Sequence, residues 1–347
     1  MRPMVASIKT ALLLAALSFT AAFARADTYS WTNLQSDIPG VATHADPNLV
    51  NPWGMAVPSA TGPIWVSDNG AGVSTLYNQQ DGTARSLIVT IPTAARNKGG
   101  GNPTGVVFNG TSFFKVTLNG NSLPGRFIFV SEDGSISGWN PGLDATHAII
   151  AVDNGTNNGT NRAVYKGATL GVANDHNFLY VTNFRSGQVE TYDENFKQVN
   201  PHGFADPNLP AGYAPFGIRN INGEIFVTYA LQDAKRTDDV AGPGNGFVNV
   251  FDTSGNLIRH LVSNGNLNAP WGLALVDGEL WVGNFGDGRI NTYDPTTGAF
   301  IETISRADGT PLEFNGLWDL LPLADGVYFT AGIADEEHGL FGLITED

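Results

Sequence analysis

Asp68, Glu132, Asn183 and Asn284 each close a short apolar run: IWVSD, FIFVSE, LYVTN and LWVGN. Carboxylate and carboxamide oxygens are hard donors, and a calcium ion gathers roughly six to eight such oxygens. If the four recurring positions converge, calcium is the cation they suit. Other polar groups recur on either side of the same runs. His44, Asp46, Asn51, Asn102, Asp206 and Asn315 lie in segments that lead into apolar strands, and Tyr229, Asp233, Asp287, Glu336 and His338 lie in or beside the turns that follow them. Together they form a candidate binding face rich in carboxylates and carboxamides. Nucleophilic chemistry has little support. The chain has no cysteine, no G-x-S-x-G elbow and no H-E-x-x-H pair among its 6 histidines. It also lacks the D-x-D-x-D-G loop of an EF-hand.

The elements that must position these groups form a repeat. Related segments begin at Asn51, Asn102, Tyr165, Ala214, Ala269 and Asn315, 46 to 63 residues apart. Each has a short apolar strand after a glycine, a turn, a second strand such as IWVSD, another turn, and a third strand ending in Tyr-Asp, Phe-Asp or Trp-Asn. Most add a fourth strand, such as LIRHLVS. Alternation with period two marks strands, and four-strand units at this spacing read as propeller blades. The expected fold is therefore an all-β, six-bladed propeller. The sixth unit lacks a fourth strand, and Tyr29 to Leu34 alternates suitably to supply one and close the ring. Closure hides the edges an open sheet would expose. The loops into the innermost strands and those from second to third strands then share one face. Gly54, Gly105, Gly167, Gly217 and Gly272 are expected where inner strands pack closely. Trp53, Trp271 and Phe216, which precede three of those glycines, and Trp139, Tyr192, Phe251 and Tyr293 of the third strands are expected between blades. The phrase Ala-Asp-Pro-Asn-Leu occurs at 45–49 and 205–209, and both copies read as Asx turns. The segment Tyr229–Gly246 of the fourth unit exceeds ordinary hairpin loops and suits a lid.

Composition narrows the partners. The 347 residues carry 18 Lys plus Arg against 33 Asp plus Glu, a formal net charge of −15. Nucleic acid is an unsuitable partner for such a surface, since phosphate binding needs clustered cations. With 42% hydrophobic residues, the chain can fill a core. Residues 1–26 have a secretory layout: Arg2 and Lys9, the apolar run Ala11–Phe23, and an Ala24-Arg25-Ala26 cleavage signal. The expectation is a signal peptide at 1–26 and a single propeller domain at 27–347. After cleavage the product is secreted or periplasmic, monomeric and without a membrane span.

The strings DPNLVNPWG, IWVSDNGAGVSTLYN, SEDGSISGWNP and DDVAGPGNGFVNVFD closely resemble a family of exported bacterial propeller proteins, some with a PEP-CTERM sorting tail. The resemblance runs from about Leu34 to Leu343 and implies a propeller and export. A looser resemblance is to NHL-type and gluconolactonase-type propellers, whose enzymes hold a divalent metal at the axis. Two functions follow as expectations. The first is an exported binding or scaffold module that engages a small molecule, glycan or protein through its acidic face. The second is a calcium-dependent lactone or ester hydrolase, in which the ion polarises a carbonyl or activates water.

Overall fold

In the computed structural model, the described residues are 27–95, 101–155, 162–200 and 203–347. The expected leader and its cleavage point at Ala26 lie outside them, as does His202. The described chain contains strands and turns but no helix, in keeping with its many glycines and its lack of any sustained helical period. Six sheets surround a common axis. Their innermost strands are Pro52–Ala56, Pro103–Phe108, Tyr165–Ala173, Tyr213–Ile221, Pro270–Val276 and Leu317–Leu323. Each of these lies beside the next, and the last returns to the first. We number the blades one to six in that order.

The N-terminal strand closes the ring as the alternation predicts. Tyr29–Ser36 runs antiparallel to Leu340–Glu346, from Tyr29 opposite Glu346 to Ser36 opposite Leu340. The first described strand is thus the fourth strand of the last blade, with the short strand His44–Ala45 paired parallel outside it. Blade two carries an additional ribbon, Lys115–Leu118 paired with Asn121–Pro124, between its first and second strands.

Alternating side chains make both faces of each blade apolar, so the core is divided among the blade interfaces. Trp65, Phe127, Phe129 and Trp139 fill the seam between blades one and two. Tyr180, Ile225, Tyr229 and Phe251 fill that between three and four. A separate cluster lies on the axis: Trp53, Phe184, Phe216, Trp271 and Trp318, with Phe285 packed against it.

The inner strands approach closely enough to require glycine. A Cβ on Gly217 would lie 2.0 Å from the carbonyl oxygen of Trp271, and one on Gly105 would lie 2.6 Å from the amide nitrogen of Ala168. In blades one to five this position is Gly54, Gly105, Gly167, Gly217 and Gly272. In blade six it is Asp319, which follows Trp318 as Gly54 follows Trp53.

A plugged axis with a charged mouth

Of the residues before these positions, Trp53, Phe216, Trp271 and Trp318 meet on the axis, so Trp53, Phe216 and Trp271 pack at the centre and not between neighbouring blades as expected. The other two are Lys166 and Thr104, whose hydroxyl donates to the carbonyls of Val130 and Tyr165 at 3.1 and 3.0 Å. Trp53 stacks on Trp318 with ring centres 3.3 Å apart, and Trp271 meets both edge-on at 6.1 and 6.0 Å. Aromatic pairs in such stacked and edge-to-face arrangements attract beyond the area they bury. This layer plugs the channel.

Lys166 takes the place of an aromatic in blade three. Its side chain is only 2% exposed, and its Nζ lies 5.0 Å from the Trp53 ring centre and 5.9 Å from that of Phe216. A cation over an aromatic face is attracted by the ring quadrupole. The ammonium pairs with Glu132 and lies 3.3 Å from Asp238 Oδ1. Burial opposes its charge, but Glu132, Asp238 and Asp239 outweigh that cost and hold it above the ordinary lysine range.

Above the plug, polar groups from different blades form a mouth. Asn69 Nδ2 donates to Glu132 Oε2 at 2.9 Å, and Asn102 Nδ2 donates to the Asn69 carbonyl at 3.4 Å. Asn51 accepts from Trp318 Nε1 at 2.9 Å and donates to Glu336 Oε2 at 2.7 Å. Burial raises the Glu336 carboxyl above the ordinary range and outweighs the Asn51 bond; nearby Glu132 adds to the rise. Burial likewise pushes Asp239 up to about 6, although Lys166 opposes it. Glu336 sits on an unusual turn, since Ala334, Asp335 and Glu336 all have left-handed φ, at 54, 55 and 67°. Non-glycine residues rarely adopt that region, and such strain gathers at functional sites.

The register separates the four residues expected to hold calcium. Pro52 pairs with Asp68, Tyr165 with Asn183 and Pro270 with Asn284. The corresponding partner of Pro103 is Ser131, not Glu132. Glu132 is therefore one residue out of step with the other three, and its equivalents are Asn69, Phe184 and Phe285, which face the axis. Asp68, Asn183 and Asn284 instead tie down their own blades. Asp68 Oδ2 accepts from the Thr75 amide at 2.9 Å, and burial raises its carboxyl well above the ordinary range. Asn183 Oδ1 accepts from the Val164 amide at 3.2 Å and its Nδ2 donates to Glu190 Oε1 at 2.7 Å. Asn284 Oδ1 accepts from the Asn268 amide at 3.1 Å, and its Nδ2 donates to the Asn266 carbonyl at 2.8 Å. As arranged, the four do not fit one calcium ion. Among the described residues, no group of three or more His, Asp or Glu side chains is placed to hold a metal.

Of the expected binding face, Asn51, Asn102 and Glu336 meet at the mouth, joined by Glu132. The others lie elsewhere. Asp46 and Asp206 cap matching Asx turns, accepting from the amides of Asn48 at 2.9 Å and Asn208 at 2.8 Å. Asp206 also lies 3.2 Å from His260. His44 contacts the Asp81 carbonyl at 3.2 Å, and His338 Nδ1 lies 2.6 Å from Asp37 Oδ2. Tyr229 is buried between blades three and four. Asp233 and Asp287 hold their own turns through the amides of Thr237 and Arg289, at 2.8 and 3.1 Å. Asn315 is exposed. Lys166 escaped the sequence reading, although its signal was present: a lysine immediately before the blade-three glycine, where four of the other units have an aromatic.

With this geometry in view, the relatives are informative. The chain is 30% identical over 322 residues to the uncharacterized protein L690 of Acanthamoeba polyphaga mimivirus, a match covering 88% of this chain and 83% of L690. The chain belongs to the L690 family. That relative is viral, which corrects the expectation of an exported bacterial family. No family model matches the chain. Among solved structures, virginiamycin B lyase from Staphylococcus aureus is 16% identical with a TM-score of 0.53, covering 92% of this chain and 99% of the lyase. A gluconolactonase from Xanthomonas campestris is 14% identical with a TM-score of 0.54, covering 86% and 89%. At such identities the likeness to gluconolactonase-type propellers is one of fold, and fold alone does not carry chemistry.

Proposed function

We propose that this propeller is a binding module that takes a hydroxylated, amine-bearing ligand, such as an amino-sugar glycan, at its charged mouth. The supporting observation is the Lys166–Glu132 pair seated on an aromatic plug. At the plug the axis is filled by the protein's own side chains, and the positive charge there comes from a lysine. Glu132, Asp238, Asp239 and Glu336 lie around that ammonium, with Arg185 also near Asp238, so carboxylates outnumber cations at the mouth. Carboxylates and carboxamides there offer acceptors to hydroxyl and ammonium groups. Export after removal of residues 1–26 forms part of this proposal and would place the module where extracellular glycans occur.

Titration calorimetry of the purified protein with a glucosamine hexamer and its N-acetylated counterpart tests the reading. The amine form is expected to bind at least tenfold more tightly, to weaken with added salt, and to lose at least tenfold in affinity on Glu336→Gln. Binding of neither oligomer, or equal binding by wild type and Glu336→Gln, would count against it. Melting after EDTA treatment and with added calcium is expected to be unchanged. A large calcium-restored shift would favour the hydrolase instead.

A further inference from the structure

A second chamber lies on the other side of the plug. It is a solvent-open cavity of about 430 Å³ between the inner strands, with Trp271 at its lining and walls that include Val106, Ala168, Leu170 and Leu273 beside the polar Thr169 and Asn220. Its volume falls within the ordinary range for small-molecule sites, roughly 300–1,000 Å³. Only two charged residues line it, Arg219 of blade four and Asp319 of blade six.

These two are joined although blade five separates them. Arg219 Nη2 donates to Asp319 Oδ1 at 2.6 Å. The Asp319 carboxylate also accepts from the amides of Leu320 at 2.8 Å and Met55 at 2.7 Å. Three donors thus share its charge, and the side chain is 3% exposed. Arg219 has the opposite balance. A guanidinium has five N–H donors, and the bond to Asp319 is its only side-chain hydrogen bond among the described residues. Its side chain retains 25% exposure. The unused donors lie in the lining beside the apolar side chains of Val106, Leu170 and Leu273. Asp319 is also the one departure from the glycine ring, and it holds Arg219 in place.

We infer that this chamber is a second ligand site, distinct from the mouth, for a small apolar carboxylate held by Arg219. A guanidinium fork matches carboxylate geometry, and the aliphatic and indole walls suit a hydrocarbon or aromatic body. Asp319 acts as a positioning residue, because its oxygens are occupied by Arg219 and the two amides.

Calorimetry with sodium benzoate and sodium octanoate, beside benzamide and octanamide, tests the assignment. At least one carboxylate is expected to bind, and its amide at least tenfold more weakly. Ala168→Phe adds bulk at the chamber wall while leaving both residues of the ion pair in the sequence, and is expected to remove binding while leaving a cooperative melt. Arg219→Ala combined with Asp319→Gly, which restores the glycine of the other blades, is expected to do the same; should that variant not fold, Ala168→Phe decides. Glu336→Gln at the mouth is expected to leave carboxylate binding unchanged, which separates this site from the proposed glycan site. Absence of binding by both carboxylates, equal binding of the amides, or binding that survives Ala168→Phe overturns the inference.

Discussion

Lys166 holds its ammonium 5.0 Å from the centre of the Trp53 ring, on the side of the plug that faces the mouth. One residue therefore contributes to two layers: its aliphatic stem completes the aromatic ring, and its charge organises the carboxylates. A buried ammonium is tolerated here because Glu132 and Asp238 compensate its charge and the aromatic faces replace part of its hydration.

Replacing Lys166 with methionine keeps the stem and removes the charge. Stability is expected to fall by about 1–3 kcal/mol, less than for a fully buried pair, because methionine fills the gap and Glu132, which remains partly exposed, can rehydrate. Lys166→Glu places an uncompensated anion beside Glu132 and is expected to cost about 3–5 kcal/mol. Urea denaturation of the two variants distinguishes these outcomes; equal losses would show that the charge is immaterial.

Asp239 gives the mouth a pH dependence of known sign. An acid whose folded pKa exceeds its unfolded value binds more protons when folded. Its contribution to stability is complete below the unfolded value, about 3.9, and is lost as pH rises through about 6. The stability of Asp239→Asn minus that of wild type is therefore expected to increase between pH 4 and 6 and to level off above that. Denaturation midpoints at pH steps across this window check it, and a flat difference would contradict the raised pKa.

The glycine ring predicts a contrast between two alanine substitutions in blade four. A Cβ on Gly217 meets the Trp271 carbonyl oxygen at 2.0 Å, whereas Gly223, at φ 88°, has nothing within 4 Å. Gly217→Ala is expected to cost about 3 kcal/mol or more through displaced backbone. Gly223→Ala is expected to cost about 1 kcal/mol through the left-handed conformation alone. Equal costs would mean that the inner strands can separate freely.

Ring closure depends on Tyr29–Ser36. Deleting residues 27–36 leaves Leu340–Glu346 as an unpaired edge, and such edges recruit other chains. The truncated protein is expected to aggregate or to lose its cooperative melt. A synthetic peptide spanning 27–37 is expected to restore some soluble, folded material. A truncated protein that stays monomeric with an unchanged melt would argue that the last blade does not need its fourth strand.

The repeat was legible in the chain because each blade must satisfy the same local physics. Strand alternation, glycines at the inner strands and turn residues between strands are short-range demands, so they recur in sequence and reveal six blades. The N-terminal strand was legible for a related reason: an incomplete sixth unit and a spare alternating segment at 29–34 point to each other. The repeated Asp46 and Asp206 turns were readable as well, since an Asx turn is made within a few residues.

The site was only partly legible. Asn51, Asn102, Glu132 and Glu336 were singled out, but so were residues such as Asp68 and Asn284, which serve their own blades. Residue type cannot separate these roles, because one step along the chain changes which surface a side chain meets. That step parts Glu132 from Ser131. Lys166 and Asp319 stand out only as departures, one from the aromatic ring and the other from the glycine ring. Their partners Asp238 and Arg219 come from another blade, at sequence distances of 72 and 100 residues. Short-range pattern determined the blades, the closure of the ring and the turns. Only the tertiary structure decided which charges face one another across the axis, because those pairings arise from the circular arrangement of blades and leave no period in the chain.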